Sequence, residues 1–495
     1  MVALENRREI ESNRKEGYQM ADRLREFMEL CGYTDEEEIK QDTPRLEKAL
    51  ERARMTLADI DHGIDEMKRV YRSDLELVSV RKMMGVWLKK FIALMLCRDE
   101  RKKVIYHIHP GVPRHVLMMN YASEDIYCDF PDSCFFMMAG QLLNILPRYL
   151  EMGEKHGMPP ARAHCGINLL EVGLMAEGII PKPDLLIVGS YQCDQSHKTA
   201  ELLSERHKIP LVKADAVSDD PWGVFPDIYE ESCKYFGESY DEMLRKSAET
   251  IGIELTEEVI NKARHTYARL WRNLDEIHRV IIDAEIRPVG FASSWFFEWA
   301  VLEPDRIMVE AGIPALELHR DELKERVAQG LGVLEKGAPR IALKCGMGGD
   351  MSVGPLLEDC GLNAVVPLNA TFLDWWEKQP VPETLRGESL GTRIAAGYLR
   401  KGYVRGGEHH VWRIREQARE VGADGLLFTP VYQCRCFAGL PVIVKQEVEK
   451  ELGIPALYLE TGAFDARDHS YEAMKTRVET FAELLRARKE AAAST

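Results

Sequence analysis

Between residues 46 and 71 apolar side chains recur in alternating steps of four and three: Leu46, Leu50, Ala53, Leu57, Ile60, Ile64, Met67 and Tyr71. That spacing keeps one stripe of a helix apolar and predicts a coiled-coil seam or a packed helical hairpin. Asp42-Thr43-Pro44 is the expected helix start, because a first-turn proline lacks only an N–H that would be unbonded anyway. Gly63 lies within the stripe and weakens it slightly. Packing on the chain's own domain is the simpler expectation. A helical arm embracing a partner subunit is the other.

From about residue 103 the pattern changes to short apolar runs. Val104–Ile108, Pro183–Ser190 and Ile209–Ala214 read as strands, with a helix over His197–Glu205 between the last two. A charged, helical stretch follows from Asp227 to Ile286 and reads as an insertion or connector. Strands resume at Pro339–Gly346, Asn363–Leu368, Asp424–Cys434 and Ile454–Glu460, with helices at Val442–Gly453 and Ser470–Lys489. Strands that alternate with helices mean parallel sheets. The expected fold is α/β: two doubly wound, Rossmann-like parallel-sheet domains with a helical N-terminal segment and a helical connector. The expected divisions are 1–100, 101–300 and 301–495. No repeat of fixed 20–50-residue period is visible.

A chain of 495 residues is too long for one ordinary core, which agrees with several domains. The net charge of −16 argues against nucleic-acid binding, which needs a basic face, and against an anionic membrane surface. The first residues carry Glu and Arg but no apolar signal region, and no run is long enough to span a membrane, so a cytoplasmic location is expected. Eleven cysteines without a CxxC pair favour free thiols or a metal site over disulfides.

Three of those cysteines carry the chemistry. Cys193 and Cys434 end the apolar runs that begin at Asp184 and Asp424, and Cys165 precedes a helical run, Gly166–Met175. Ligands of open α/β sheets collect beyond the carboxyl ends of the strands, so thiols delivered there can meet. A thiol at a helix start is expected to have a lowered pKa. Three thiolates at one point suggest an iron–sulfur cluster with one iron open. A single strand-end cysteine is otherwise an ordinary core residue.

Three stretches resemble the 2-hydroxyacyl-CoA dehydratase/benzoyl-CoA reductase family of iron–sulfur subunits. They are Cys165 with Gly173; Pro183-Asp184-Leu185-Leu186 through Cys193 to Lys198; and Ala423 to Leu427 through Cys434, Phe437, Gly453-Ile454-Pro455, Glu460-Thr461, Asp465-Ala466-Arg467 and Ser470. The resemblance covers roughly residues 150–490. It implies an oxygen-sensitive enzyme acting on acyl-CoA thioesters by single-electron, ketyl radical chemistry: 2-hydroxyacyl-CoA dehydration or ATP-dependent aryl-CoA reduction. Cys165, Cys193 and Cys434 would hold a [4Fe–4S] cluster, with the fourth iron left for water or the thioester carbonyl. A related second cluster-bearing subunit and a separate ATP-hydrolysing iron–sulfur activator would be its partners. The chain itself has no GxGxxG or GxxxxGK[ST] nucleotide loop.

The chain departs from the family pattern at Cys436, which is the alternative third ligand or a fourth that would close the open iron. Cys345, bracketed with Cys360 around Gly346-Met347-Gly348-Gly349-Asp350, is a possible extra ligand, as in relatives holding a double-cubane [8Fe–9S] cluster; buried thiols are the simpler reading. Cys128 and Cys134 pose the same question. His409-His410 can serve proton transfer or merely begin a helix. Trp295, Trp299, Trp375 and Trp376 either line an apolar pocket or pack a core. Two other functions remain open: a double-cubane-type reductase of small molecules, and a cluster-free α/β scaffold or regulatory subunit.

Overall fold

The computed structural model describes residues 21–160, 164–190, 193, 195–217, 223, 230–345, 350–366, 383–385, 387–400, 407–429, 434, 439–460, 462, 464–468 and 470–494. Four helices come first: α1 (21–30), α2 (Glu36–Arg52), α3 (Leu57–Tyr71) and α4 (Val78–Glu100). A first α/β unit follows with β1 (Lys103–Ile108), α5 (Pro113–Ala122), β2 (Ile126–Asp129), α6 (Pro131–Phe136), α7 (Pro147–Lys155), α8 (Gly166–Ala176), β3 (Leu185–Gly189), α9 (Ser196–His207) and β4 (Leu211–Ala214). Helices α10 (Glu230–Ile251), α11 (Glu257–Asp283), α12 (Phe291–Ala300) and α13 (Ile313–Gln329) lead to the second unit. That unit comprises β5 (Arg340–Cys345), α14 (Val353–Asp359), β6 (Asn363–Val366), α15 (Leu390–Arg400), α16 (Gly407–Glu420), β7 (Gly425–Thr429), α17 (Pro441–Leu452), β8 (Ala456–Tyr458) and α18 (Tyr471–Ala493). No helix among the described residues is long and apolar enough to cross a membrane.

The apolar stripe of the N-terminal region is two helices rather than one. Asp35, not Asp42, caps α2: its carboxylate accepts from the amides of Glu37 and Glu38, and Glu36, Glu37 and Glu38 fill the first turn. Pro44 therefore lies inside the helix. The break after α2 is made by Arg54 in the left-handed region (φ 56°), and Thr56 and Asp59 then form a capping box that starts α3. Leu46, Leu50, Ala53, Ile60, Ile64, Met67 and Tyr71 are all buried in the chain's own main core. Arg45 pairs with Glu100, and Lys48 and Arg52 with Asp99, holding α2 on α4. The stripe is a packing surface of this chain, not an arm around another.

Each unit is built on one parallel sheet, and the two sheets share a topology: β2-β1-β3-β4 and β6-β5-β7-β8. The duplication extends to side chains. Asp184 gives its N–H to the Val104 carbonyl at 2.7 Å and accepts the Val104 N–H at 2.8 Å and Arg98 at 2.8 Å. Asp424 gives its N–H to the Arg340 carbonyl at 2.7 Å, and accepts the Arg340 N–H at 2.7 Å and Lys489 at 2.9 Å. In both sheets an aspartate thus seals the start of the two central strands, pairing a backbone donor otherwise left open at the sheet's end. Cys193 follows its aspartate by nine positions and Cys434 by ten, so the repeat carries the two cysteines to matching edges.

The halves are joined at several points. Arg72 of α3 grips Asp359 of α14 at 2.7 and 3.0 Å. Helices α10 and α15 cross so closely that a Cβ on Gly237 would stand 2.4 Å from Thr392. Phe464, in the loop after β8, packs edge-on against Phe136 and Trp299 beside the carboxyl end of the first sheet.

Gly173 sets the angle of the helix behind Cys165. A Cβ there would lie 2.7 Å from the Gly153 nitrogen, and one on Gly153 would lie 2.2 Å from the Leu169 carbonyl oxygen. Gly173→Ala is expected to force α7 and α8 apart and lower stability by about 1–3 kcal/mol, read as a lower urea midpoint. An unchanged midpoint would contradict this close crossing.

Candidate functional site

The strand order reverses direction between β1 and β3, and the carboxyl ends of those strands are where ligands of such sheets collect. Cys193 sits just past β3. Ser196, the first residue of α9, directs its N–H (3.4 Å) and its hydroxyl (3.3 Å) at the Cys193 sulfur. Cys165 is the N-cap of α8, and its N–H donates to the Gln195 side chain at 3.2 Å. Asn168, one turn into α8, donates to the Ser196 hydroxyl at 3.2 Å. Two helix starts and their thiols therefore share one hydrogen-bonded support. Both cysteines are half-buried.

The expected lowering of the Cys165 pKa is corrected by the structure. Burial, with the Cys193 thiol next, pushes Cys165 up to about 12. The Ile167 and Asn168 amides pull the other way but contribute less. A helix N-terminus does not make a thiolate where desolvation and a second thiol oppose it. A bound cation of soft character would reverse that balance.

Cys434 is half-buried five positions beyond β7, at the place that matches Cys193 across the repeat. Its rival Cys436 lies outside the described residues. Cys345 closes β5 with its backbone opposite Thr429, and its side chain lies outside the described set. Cys360 is buried at the end of α14, where burial raises its thiol pKa. Cys128 and Cys134 are fully buried, Cys134 donating to Asp129 at 3.2 Å, so both are core residues. None of the described cysteines forms a disulfide. The structure thus brings Cys165 and Cys193 to one point. Among the described residues no set of three His, Cys, Asp or Glu side chains gathers in a metal-holding arrangement.

Of the remaining candidates, His409 is buried in the first turn of α16 beside His410. Trp375 and Trp376 lie outside the described residues. Trp295 is buried against Phe291, and Trp299 stacks on His109 with ring centres 5.5 Å apart. Trp299 is thus a core residue that packs on His109, the residue just after β1.

The sequence reading missed a buried acidic group behind the thiols. Glu171 of α8 accepts from Asn168 at 3.2 Å and from the His109 N–H at 3.3 Å. Ser133 donates to Glu303 at 2.7 Å and to Asp132 at 3.4 Å. Burial, reinforced by Asp132, raises the Glu171 carboxyl well above its usual range; burial, reinforced by Asp129, does the same to Glu303. Burial and then Glu303 bring Asp132 up to about 7. A signal was present: Asn168 and Glu171 are polar, three apart, in an otherwise apolar helix.

A raised carboxyl pKa favours the fold at low pH. The contribution is complete below the unfolded value of about 4 and is lost as pH rises through the folded one. Asp132→Asn is therefore expected to gain stability relative to wild type progressively between about pH 4 and pH 7. Paired thermal melts check this, and a constant offset across that range would contradict it.

The family model described as HGD-D, 2-hydroxyglutaryl-CoA dehydratase, D-component, matches residues 136–485. One of the subunits of the benzoyl-CoA reductase of Thauera aromatica is 22% identical over 358 residues, covering 65% of this chain and 76% of that protein. The (R)-phenyllactyl-CoA dehydratase alpha subunit of Clostridium sporogenes is 20% identical over 338 residues, covering 66% and 77%.

Proposed function

Because the chain belongs to the 2-hydroxyglutaryl-CoA dehydratase D-component family, we propose that it is the iron–sulfur subunit of an enzyme acting on acyl-CoA thioesters, with Cys165, Cys193 and Cys434 as ligands of a [4Fe–4S] cluster. The observation that supports this most is the meeting of Cys165 and Cys193 on one support, half-buried, with Ser196 donors already aimed at sulfur. Donors of that kind stabilise a ligand thiolate and tune a cluster's potential. When bound, the cluster supplies a low-potential electron and an open iron beside the thioester carbonyl.

The chain's own part is to hold and shield. Trp299, Phe136 and Phe464 form an apolar wall across the two halves that keeps water from a radical intermediate. The reaction is single-electron, ketyl radical chemistry: removal of water from a 2-hydroxyacyl group, or reduction of an aryl one. The relatives are named as subunits, which supports a second, related subunit here. A separate ATP-hydrolysing activator fits the lack of a nucleotide-loop motif in the sequence. The setting is an anaerobic cytoplasm.

The test is product analysis. The anaerobically isolated complex, with its activator and ATP, is given a 2-hydroxyacyl-CoA and, separately, benzoyl-CoA. Mass spectrometry should find loss of water from the first or gain of hydrogen by the second. Return of both thioesters unchanged, from protein shown to contain iron, would overturn the reading.

The double-cubane alternative draws on Cys345, whose backbone ends β5 beside the strand that leads to Cys434. An iron count of about eight per chain would favour it over the single cube.

A further inference from the structure

Behind the paired thiols lies a buried acidic network that the ligand assignment does not use. Glu171, Asp132 and Glu303 come from α8, α6 and the turn after α12, and each is almost wholly inaccessible. The nearby cation, Lys90, is committed to other acids: it pairs with Asp129 at 2.7 Å and Asp305 at 2.9 Å. His278 pairs with Glu298. Among the described residues, none of the Glu171, Asp132 and Glu303 carboxyl groups forms an ion pair with a lysine or arginine; Lys90 reaches only the Glu303 backbone carbonyl, at 3.0 Å.

Contacts run from the thiol edge into this network. Ser196 donates to Cys193, Asn168 donates to both Ser196 and Glu171, and the His109 N–H donates to the other oxygen of Glu171. The His109 Nδ1 stands 3.8 Å from Glu303, and Ser133 joins Glu303 to Asp132. Four buried polar atoms around this path have no hydrogen-bond partner among the described residues: His109 Nδ1, Asp132 Oδ1, Glu303 Oε2 and Asn168 Oδ1. Unpaired buried acceptors are costly, and protons shared among them would remove the cost. His109 is the member that reaches outward, with 28% of its side chain exposed beside Trp299.

We propose that Glu171, Asp132 and Glu303, with His109 at the mouth, are the proton store of the site, and that Glu171 is the group exchanging a proton with the bound acyl thioester. The inference rests on the thioester reading above and adds the proton's origin to it. In a dehydration protons and electrons both close: one electron is taken up at the thioester carbonyl before the C–O bond breaks and is given back after the β-proton is lost. The C–O bond breaks, the departing hydroxide takes the Glu171 proton, and water leaves. The β-C–H bond then breaks and its proton returns to the Glu171 carboxylate, so no net proton is consumed. Burial supports this role, since all three acids hold their protons more tightly than free carboxylic acids do.

The test has two readouts on wild-type complex, Glu171→Gln, Glu303→Gln and Glu171→Asp. The first is infrared absorption of protonated carboxyl groups at neutral pH in H2O and D2O. Wild type should show a deuterium-sensitive carboxyl band that weakens in each glutamine variant. Its absence from wild type would overturn the proposal, whether or not iron is bound. The second is turnover with iron content measured on the same samples. Glu171→Gln should keep its iron and lose about 100-fold or more in kcat, with KM little changed and partial recovery in Glu171→Asp. Full activity in Glu171→Gln, or loss of its iron, would also overturn the proposal. Iron missing from wild type as well would count against the cluster reading instead, and leaves the infrared result to decide the proton store.

Discussion

Cys193→Ser is expected to leave the chain folded but without iron. Cys193 is half-buried on the loop just past β3 and its sulfur meets the polar donors of Ser196, so serine can take its place without disturbing the strand or the helix. Serine keeps the shape but offers a hard oxygen where a soft thiolate is wanted. Ser196 would meet a hydroxyl instead of sulfur, and the link from Asn168 to Ser196 would survive. Cys165→Ser should behave alike, since its N–H bond to Gln195 comes from the backbone and does not depend on the thiol. Iron analysis should fall from about four per chain to near zero, with circular dichroism and melting temperature close to wild type. Retention of iron by either variant would show that the pair is not a ligand pair.

Lys90→Met is expected to have the largest effect on stability. The Lys90 side chain is fully buried and holds Asp129, Asp305 and the Glu303 carbonyl together, the last at 3.0 Å. Burial pulls its pKa down, but Asp129 and Asp305 more than reverse this, so the ammonium stays charged. Removing the cation leaves two carboxylates facing each other without water. Breaking a buried pair in this way costs about 3–5 kcal/mol, a large part of the stability of an ordinary domain. The urea midpoint and soluble yield should both drop sharply. Adding Asp129→Asn and Asp305→Asn to Lys90→Met should recover much of the loss, because neutral groups of similar shape cost far less to bury. Equal stability of Lys90→Met and wild type would contradict the ion cluster.

The strands were legible where apolar side chains run without a break, as in Leu185–Gly189 and Gly425–Thr429. Strand β2 was missed because it is four residues, Ile126-Tyr127-Cys128-Asp129, ending in an acid that only tertiary contact with Lys90 explains. The break between α2 and α3 was hidden because the four-and-three stepping continues through it. A positive-φ arginine carries no signal of the kind a glycine would. The duplicated topology escaped a search for fixed periods because the two halves differ in the lengths of their connections. What they share is an aspartate at the start of the third strand and a cysteine beyond its end. The cysteines were visible as residues and as a resemblance. That Cys165 and Cys193 meet follows only from how α8 and α9 begin side by side. The acid network was invisible for the same reason, since α6, α8 and the turn after α12 are far apart in sequence.

The most direct measurement is anaerobic iron and sulfide quantitation with EPR on wild type, Cys434→Ser and Cys436→Ser, prepared side by side. The expected result is about four irons in wild type and in Cys436→Ser, and loss of the iron only in Cys434→Ser. Iron-free wild type, or loss confined to Cys436→Ser, would contradict the ligand set of Cys165, Cys193 and Cys434.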